Sequence, residues 1–473
     1  MKRFLLLFVS AVLTGPLVAQ LDTIRMVSLG GAADEGAISV LSLGTDALVT
    51  GYSDSNSEGV RAPWVVRLDS MLEVVWHRVL PIEGTAVAGV LDADGSVVVV
   101  SRELLPAAAG YGVHWHRLAA ETGEVLGAST FEAADWMLPV SLGQTGDTLL
   151  TWVTDYRSGT AQPTVLGSRW VGGVHEVLFE RTFGTPGLTE SLVEGTLAGG
   201  DLWLASTLRP TPDSARGMLR RADLVGSVVW SDVPDVSGGL VEVNALSVVD
   251  SMVYLGLTGG DGTSTPTAHI ARWDTSGVAD PEMWTLSNPA QVRDIRWNAP
   301  ELNVLYRSEV FGLGEGDMLF SRYGPAVSYV DGRSFGWVER EEPAAMMEDE
   351  VGAVWLVGST EHGNPNFHVV RAPNDHIGPH HLEAFQTDLV GPLSIPVLPD
   401  DGSPRLAPNP GNGRLRLVGQ PCEEFTFVVF TLHGTVIDSG KGPVLDASRW
   451  PGGIYLIDVA CENWRQSFRF LRW

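Results

Sequence analysis

Apolar residues in this chain come in short runs rich in Val, Leu, Trp and Tyr, separated by Gly, Asp and Ser. Seven of these runs recur in order: ALVTGYSD, SVVVVSREL, TLLTWVTDY, DLWLASTLR, MVYLGLTGG, LNVLYRSE and AVWLVGST. They are too short and too β-branched for helices, and turn-forming residues bound each one, so strands are predicted. Some 13 to 17 residues after each run, a second apolar run ends at an arginine: Arg67, Arg117, Arg169, Arg221, Arg272, Arg322 and Arg371. The intervals between these arginines are 50, 52, 52, 51, 50 and 49 residues. A third run follows most of them and carries an aromatic residue: Trp76, Phe179, Trp230, Trp284 or Trp337. Its copies near Leu126 and Phe385 are degenerate.

A period near 50 residues with several short strands per unit predicts radially stacked β-sheets, a seven-bladed β-propeller over residues 20–385. No single unit buries both faces of its sheet; stacking against neighbours does. The aromatic residues of the third run are expected mostly buried, between or at the edge of neighbouring sheets. Residues 24–31, IRMVSLGG, resemble one more copy of that run without its aromatic. Residues 24–29 are expected to complete the blade built mainly from residues 346–372, a closure that removes exposed sheet edges. One repeated arginine per blade points to a repeated structural task, a turn or a contact between blades.

Residues 386–404 contain four prolines and read as a semi-rigid linker. Beyond it, RLRL, FTFVVF, IYLIDV and SFRF alternate as half-buried strands do, predicting a second all-β unit over residues 405–473, a small β-sandwich of about seven strands. Charge changes at the same boundary. The chain holds 31 Lys and Arg against 57 Asp and Glu. From Arg405 onward there are eight basic and six acidic residues, leaving 23 against 51 in the rest. So acidic a body disfavours nucleic acid and anionic membrane as partners.

At the other end, Lys2 and Arg3 precede an apolar run from Phe4 to Leu13, then small residues to Ala19. This reads as a secretory signal peptide over residues 1–19, too short for a membrane span, and no later stretch is long and apolar enough for one. Export implies an oxidising compartment. The two cysteines, Cys422 and Cys461, both lie in the tail, where a bridge would close a loop of about 40 residues worth roughly 4 kcal/mol. Spacing alone leaves them bridged or free.

The tail carries Asn409, Pro410, Gly411 and Gly413 at its opening turn, Gly434 in a mid-unit hairpin and Asp446 before a loop. Gly453, Ile454 and Tyr455 open the penultimate strand, and a basic-apolar strand ends the chain. In order and spacing this resembles the type A C-terminal sorting domain of proteins exported by the bacterial type IX secretion system. Thr431 stands where Asp is usual in that family, and the last strand uses Arg where Lys is common. The body is similar to the loosely related propeller repeats that often precede such domains. The resemblance implies a cell-surface or secreted protein that passes through the periplasm. Its partners would be the general secretion machinery, then the type IX outer-membrane translocon and its sortase-like peptidase. It also implies removal of the tail on arrival, with the body either attached to surface glycolipid or released.

Candidate chemistry is sparse. No Gly-x-Ser-x-Gly elbow, His-Glu-x-x-His, phosphate loop or dinucleotide fingerprint occurs, and no catalytic or cofactor-binding residue is assigned. Five histidines fall between His362 and His381 (His362, His368, His376, His380, His381), but Gly378 and Pro379 prevent a helix that would align them, and a solvated loop fits better than a metal site. His114 and His116 share one strand face, which is two ligands and not a site. DSNSEG at 54–59 approximates the start of a calcium loop, with Asp54, Asn56 and Glu58 at alternate positions; Val65 stands where its closing Glu belongs, so a hairpin turn is favoured and no cofactor is expected. The expected function is a binding or scaffold propeller for an extracellular glycan, peptide or protein. The alternative is a secreted hydrolase or lyase, which converging carboxylates and histidines in the channel mouth would favour.

Overall fold

The computed structural model describes residues 23–388 and 405–472. It excludes 32, 56–59, 106–109, 132–136, 212, 235, 237–239, 261–265, 277–280, 309–315, 325–326, 336–339, 361–365 and 374–380 in the first range. In the second it excludes 410–413, 419–424, 432–435, 443, 447–449, 451–452 and 462–463. The chain forms two compact units, Met1–Pro392 and Leu393–Trp473. Among the described residues there is no helix.

The first unit is a seven-bladed β-propeller. The chain enters on β1 (Thr23–Gly30), which takes its place in the last blade. Blade 1 is β2–β5 (Glu35–Leu43, Asp46–Ser53, Ala62–Leu68, Val74–Val79), and blade 2 is β6–β9 (Gly84–Leu91, Ser96–Leu105, Gly110–Ala119, Val125–Phe131). Blade 3 is β10–β13 (Met137–Thr145, Thr148–Asp155, Gln162–Val171, Val174–Thr182), and blade 4 is β14–β17 (Thr189–Ala198, Asp201–Thr211, Ser214–Ala222, Val228–Asp232). Blade 5 takes β18–β20 (Leu240–Val249, Met252–Gly260, Thr267–Asp274) and the first half of β21 (Glu282–Asn298). The second half of β21 opens blade 6, with β22–β24 (Glu301–Ser308, Asp317–Tyr323, Tyr329–Phe335). Blade 7 has β25–β27 (Glu341–Glu348, Ala353–Thr360, Asn366–Pro373).

Blades 1 to 6 thus each have four strands where the sequence pattern shows three. The unmarked strand is the first, and first strands touch first strands all the way round the ring, so they form its inner wall. All seven break register at the same place, bulging Ile38, Val87, Val140, Val193, Asn244, Arg293 and Ala344. A bulge adds twist and bends the strand, which suits the tight radius of an inner wall.

Closure follows the expected route. β1 pairs antiparallel with β27, Val27 opposite Val369, as the fourth strand of blade 7. β28 (His381–Asp388) then pairs in parallel outside β1, Val27 opposite Phe385. The strand therefore continues to Asp388, into the stretch expected as linker; residues 389–404 lie outside the described residues.

The core departs from expectation in one respect. The fully buried aromatics stand mainly on second and third strands: Trp64, Trp115, Trp152, Trp203, Trp273 and Trp355. Of the fourth-strand aromatics, Trp76 is buried, while Phe179 and Trp230 are half-buried and Trp337 lies outside the described residues. The outermost strand has sheet on one side only, so its side chains cover the core instead of filling it. Trp230 does so edge-on between Trp203 and Trp273, with ring centroids 6.2 Å from each.

The repeated arginines each meet a carboxylate of their own blade. Arg67 donates to Asp46, Arg117 to Asp94, Arg221 to Asp201 and Arg371 to Asp349; Arg322 pairs with Glu301 at 3.0 Å. These acids, with Asp147 at 3.6 Å from Arg169, sit at the turn or start of the second strand. Arg169 also meets Glu176, and Arg272 instead pairs with Glu282 on the fourth strand. Arg67 and Arg221 reach further, donating to the Ala120 and Thr275 carbonyls of the next blade at 2.9 and 2.8 Å.

The second unit is the small C-terminal β-sandwich. β29 (Arg405–Asn409), β30 (Arg414–Val418) and β33 (Val444–Asp446) form one sheet. β31 (Phe425–Thr431), β32 (Val436–Gly442), β34 (Gly453–Cys461) and β35 (Trp464–Arg472) form the other. Val429, Ile457 and Val459 are fully buried. Asn409 ends β29, Asp446 ends β33, and Gly453, Ile454 and Tyr455 open β34. Pro410, Gly411, Gly413 and Gly434 lie outside the described residues, as does Cys422; Cys461 ends β34.

Candidate functional site

Three places on the propeller gather side chains with chemistry. The first is the inner wall. In three blades the residue after the bulge accepts a backbone N–H of the next blade. Ser141 Oγ takes Gly195 N–H at 3.1 Å, Glu194 takes Leu246 N–H at 2.7 Å, and Asp294 takes Met346 N–H at 2.8 Å. Glu194 of blade 4 and Asp294 of blade 6 also share Arg296, at 3.4 and 3.2 Å. Burial pushes Glu194 up to about 7 against the pull of Arg296, and burial likewise raises Asp294. The Asp294 charge holds the Arg296 guanidinium above its ordinary value. A cavity of about 490 Å³ opens beside Arg296, Trp297 and Met346.

The second place lies towards the other end of the same strands. Arg293 donates to Glu342, whose second oxygen lies 3.6 Å from both Arg307 and Arg340. Burial is the main cause lowering the Arg293 pKa, with Arg307 and Arg340 adding repulsion against the pull of Glu342. A cavity of about 410 Å³ lined by Arg293, Asn244 and Tyr52 adjoins them.

The third and largest is a cleft of about 880 Å³ between blades 5 and 6. It exists because β21 passes directly from the outer edge of blade 5 to the inner wall of blade 6. Trp284 and Leu286, on its outer half, face Tyr306, Leu319, Tyr323 and Tyr329 of blade 6 across the gap. None of the described side chains lining it is charged. At its wall Tyr306 Oη and Ser321 Oγ are 2.8 Å apart, both residues buried, and Tyr323 joins them by hydrogen bonds. Burial raises both phenols, so both stay neutral. Tyr329 is 62% exposed and meets Tyr323 edge-on, with centroids 5.8 Å apart. Gly332 keeps this corner open: a Cβ there would lie 2.5 Å from Ser321 Oγ and 3.0 Å from Tyr329 Oη.

The described histidines singled out in the sequence, His114, His116 and His368, line none of these places. His114 and His116 do share a face, stacked at 4.1 Å, with His114 Nδ1 3.1 Å from Glu103. His368 is fully buried on β27, its Nδ1 3.1 Å from Ser28 Oγ. His362, His376 and His380 lie outside the described residues, and His381 opens β28. Among the described residues no group of three or more His, Cys, Asp or Glu is placed to hold a metal ion. Asp54, the first residue of the calcium-like segment, is engaged by Arg61 through two bonds of 3.0 and 3.1 Å; Asn56 and Glu58 lie outside the described residues.

The buried imidazoles predict an acid-sensitive propeller. Burial pulls His116 down to about 3 and His175 and His368 to about 4. Unfolded, each titrates near 6.5, so the unfolded chain binds more protons in between. Their contribution is complete above about pH 6.5 and falls away as pH drops towards 4. Glu194 opposes this, since its raised value favours the folded state as pH falls below 7. The expected result is that His368→Gln flattens the decline of Tm between pH 6.5 and 4.5. An unchanged slope would show that His368 is not held neutral.

No protein-family model matches this sequence, and no curated protein is similar enough to match it. Solved structures with a similar course are the Neurospora crassa Pan2 WD40 domain, the β-propeller domain of the Trilobed protease from Pyrococcus furiosus, and Sqt1 from Chaetomium thermophilum. The first is 11% identical over 72% of this chain and 90% of that one, with a TM-score of 0.48. The second is 11% identical over 72% and 94%, at 0.47, and the third 13% over 75% and 99%, at 0.44. The fold assignment rests on the seven blades themselves.

Proposed function

We propose that this chain is an exported binding propeller, carried to the cell surface or the medium by its C-terminal sorting domain, with the cleft between blades 5 and 6 as its ligand site. The observation that carries the binding role is the uncharged aromatic lining of an 880 Å³ cleft in a chain of net charge −26. Binding pockets of this size are typically apolar with a few placed polar groups, and a tyrosine-serine hydroxyl cluster is such a group. The export role is supported by the signal-like N-terminus and by the order of Asn409, Pro410, Gly411, Gly413, Gly434, Asp446, Gly453, Ile454 and Tyr455 in the tail. In this reading the secretion machinery, the type IX translocon and its sortase-like peptidase handle the chain in turn, reading the tail as an address and not as an anchor.

Deletion of residues 405–473 is expected to leave the protein in the periplasm. Fractionation of a type IX-competent host decides this, and normal surface delivery of the truncated chain would remove the sorting assignment.

A second reading rests on Glu194, whose value near 7 in the channel wall suits a general acid or base in a secreted hydrolase or lyase. Turnover of extracellular polymer that disappears in a folded Glu194→Gln variant would favour it over binding.

A further inference from the structure

The ligand class follows from the cleft, and this step rests on its being the binding site. We infer that the cleft between blades 5 and 6 takes a neutral saccharide, stacked on Tyr329 and Trp284 with its hydroxyl groups against Tyr306, Ser321 and Tyr323.

Charge is the first argument. The body around the cleft is strongly acidic, yet no described side chain lining the cleft is charged. Arg272, which lies over the Trp284 ring at 5.0 Å, is itself paired with Glu282. Among the described lining residues an anionic ligand would meet no cation, and the body would repel it. A cationic one would meet no carboxylate among them and would lose its hydration without compensation. A neutral ligand meets neither cost.

Hydroxyl chemistry is the second. Each hydroxyl offers one hydrogen and two lone pairs. Each of the hydroxyls of Tyr306, Ser321 and Tyr323 is hydrogen-bonded to the other two, a closed ring whose own bonds can take all three hydrogens and which leaves lone pairs for a ligand. Sugar hydroxyls can donate to such lone pairs, whereas a hydrocarbon would leave them unused. Shape is the third argument. Tyr329 is the most exposed of the cleft aromatics, and its π face suits the C–H face of a pyranose ring. Because Gly332 has no side chain, a ring seated on Tyr329 can approach Ser321.

The experiment titrates the full mature chain by calorimetry with neutral cello-, xylo-, manno- and malto-oligosaccharides. Oligogalacturonate, a basic peptide and an uncharged aromatic hydrocarbon serve as contrasts. The expected result is binding of at least one neutral series, unchanged between pH 6 and 9, with oligogalacturonate and hydrocarbon inert. Tyr329→Ala, at an exposed position, should weaken that binding at least tenfold without lowering Tm, and Trp284→Ala should weaken it as well. If the acidic sugar, the peptide or the hydrocarbon binds instead and Tyr329→Ala abolishes it, the saccharide class falls and the cleft reading stands. If a neutral sugar binds and neither variant changes its affinity, the cleft is not the site. Absence of binding by every neutral series overturns the saccharide inference.

Discussion

Replacing Glu190 by Gln is expected to destabilise the propeller by about 3–5 kcal/mol, the range for breaking a buried ion pair from one side. Glu190 is fully buried in blade 4, and Arg220 on β16, two strands away in the same sheet, is 5% exposed. Arg220 donates to both Glu190 oxygens, the second at 2.8 Å, and Ser206 Oγ adds a bond of 2.5 Å. A further bond ties Arg220 to Thr185 Oγ1 at 3.0 Å, fixing the loop that enters the blade. Burial pulls Arg220 down to about 10, which still leaves it charged at neutral pH. Removing the carboxylate charge strands that cation in the blade, where a glutamine amide cannot compensate it. Replacing both partners, as in Glu190→Leu with Arg220→Met, removes the stranded charge and should recover most of the loss. Urea midpoints for the three variants measure this. A single-variant loss below 1 kcal/mol, the value of an exposed pair, would contradict the geometry.

Glu190 shows why part of this molecule was legible in the sequence and part was not. Seven arginines at intervals of 49 to 52 residues gave the blade number, because one ion pair per blade is a one-dimensional repeat. Second and third strands were legible because sheet covers both their faces, and they read as continuous apolar runs such as VVVV at 97–100. First strands were not. Their side chains alternate between the core and a half-open channel, and the bulge shifts that alternation midway, as in EEPAAMME around Ala344. The residues of the inner wall, among them Glu194, Arg293, Asp294 and Arg296, therefore carried no pattern. The cleft was hidden for another reason. Trp284 was visible as a fourth-strand aromatic, but Tyr306, Tyr323 and Tyr329 stand on three different strands, and only the passage of β21 between blades brings them opposite it. A signal was available: no turn residue cluster interrupts MWTLSNPAQVRDIRW as it does the other blade junctions, apart from the single Asn288–Pro289 step. The closing strand was legible because it is a displaced copy of a repeated element, and a ring offers such a copy one vacancy.

That closing strand carries the largest expected effect. β1 lies between β27 and β28, hydrogen-bonded to both, so it is an interior strand although some 340 residues of chain separate it from β27. Ile24, Met26, Val27 and Leu29 are all buried, in the clusters shared by blades 6, 7 and 1. At about 1.5–3 kcal/mol for each buried side chain, the strand contributes roughly 6–12 kcal/mol. Whole domains are stable by about 5–15 kcal/mol. Deleting residues 23–30 is therefore expected to abolish the folded ring, not merely to weaken it. Without β1, β27 and β28 lose their shared partner and both expose an edge. Leu29→Ala, a graded form of the same test, should cost about 2–5 kcal/mol. Circular dichroism melts and limited proteolysis of both variants measure this. A synthetic peptide of residues 23–30 added to the deleted chain should restore a cooperative melt by filling the gap. A deletion variant that melts within a few degrees of the parent would show that the ring closes without β1.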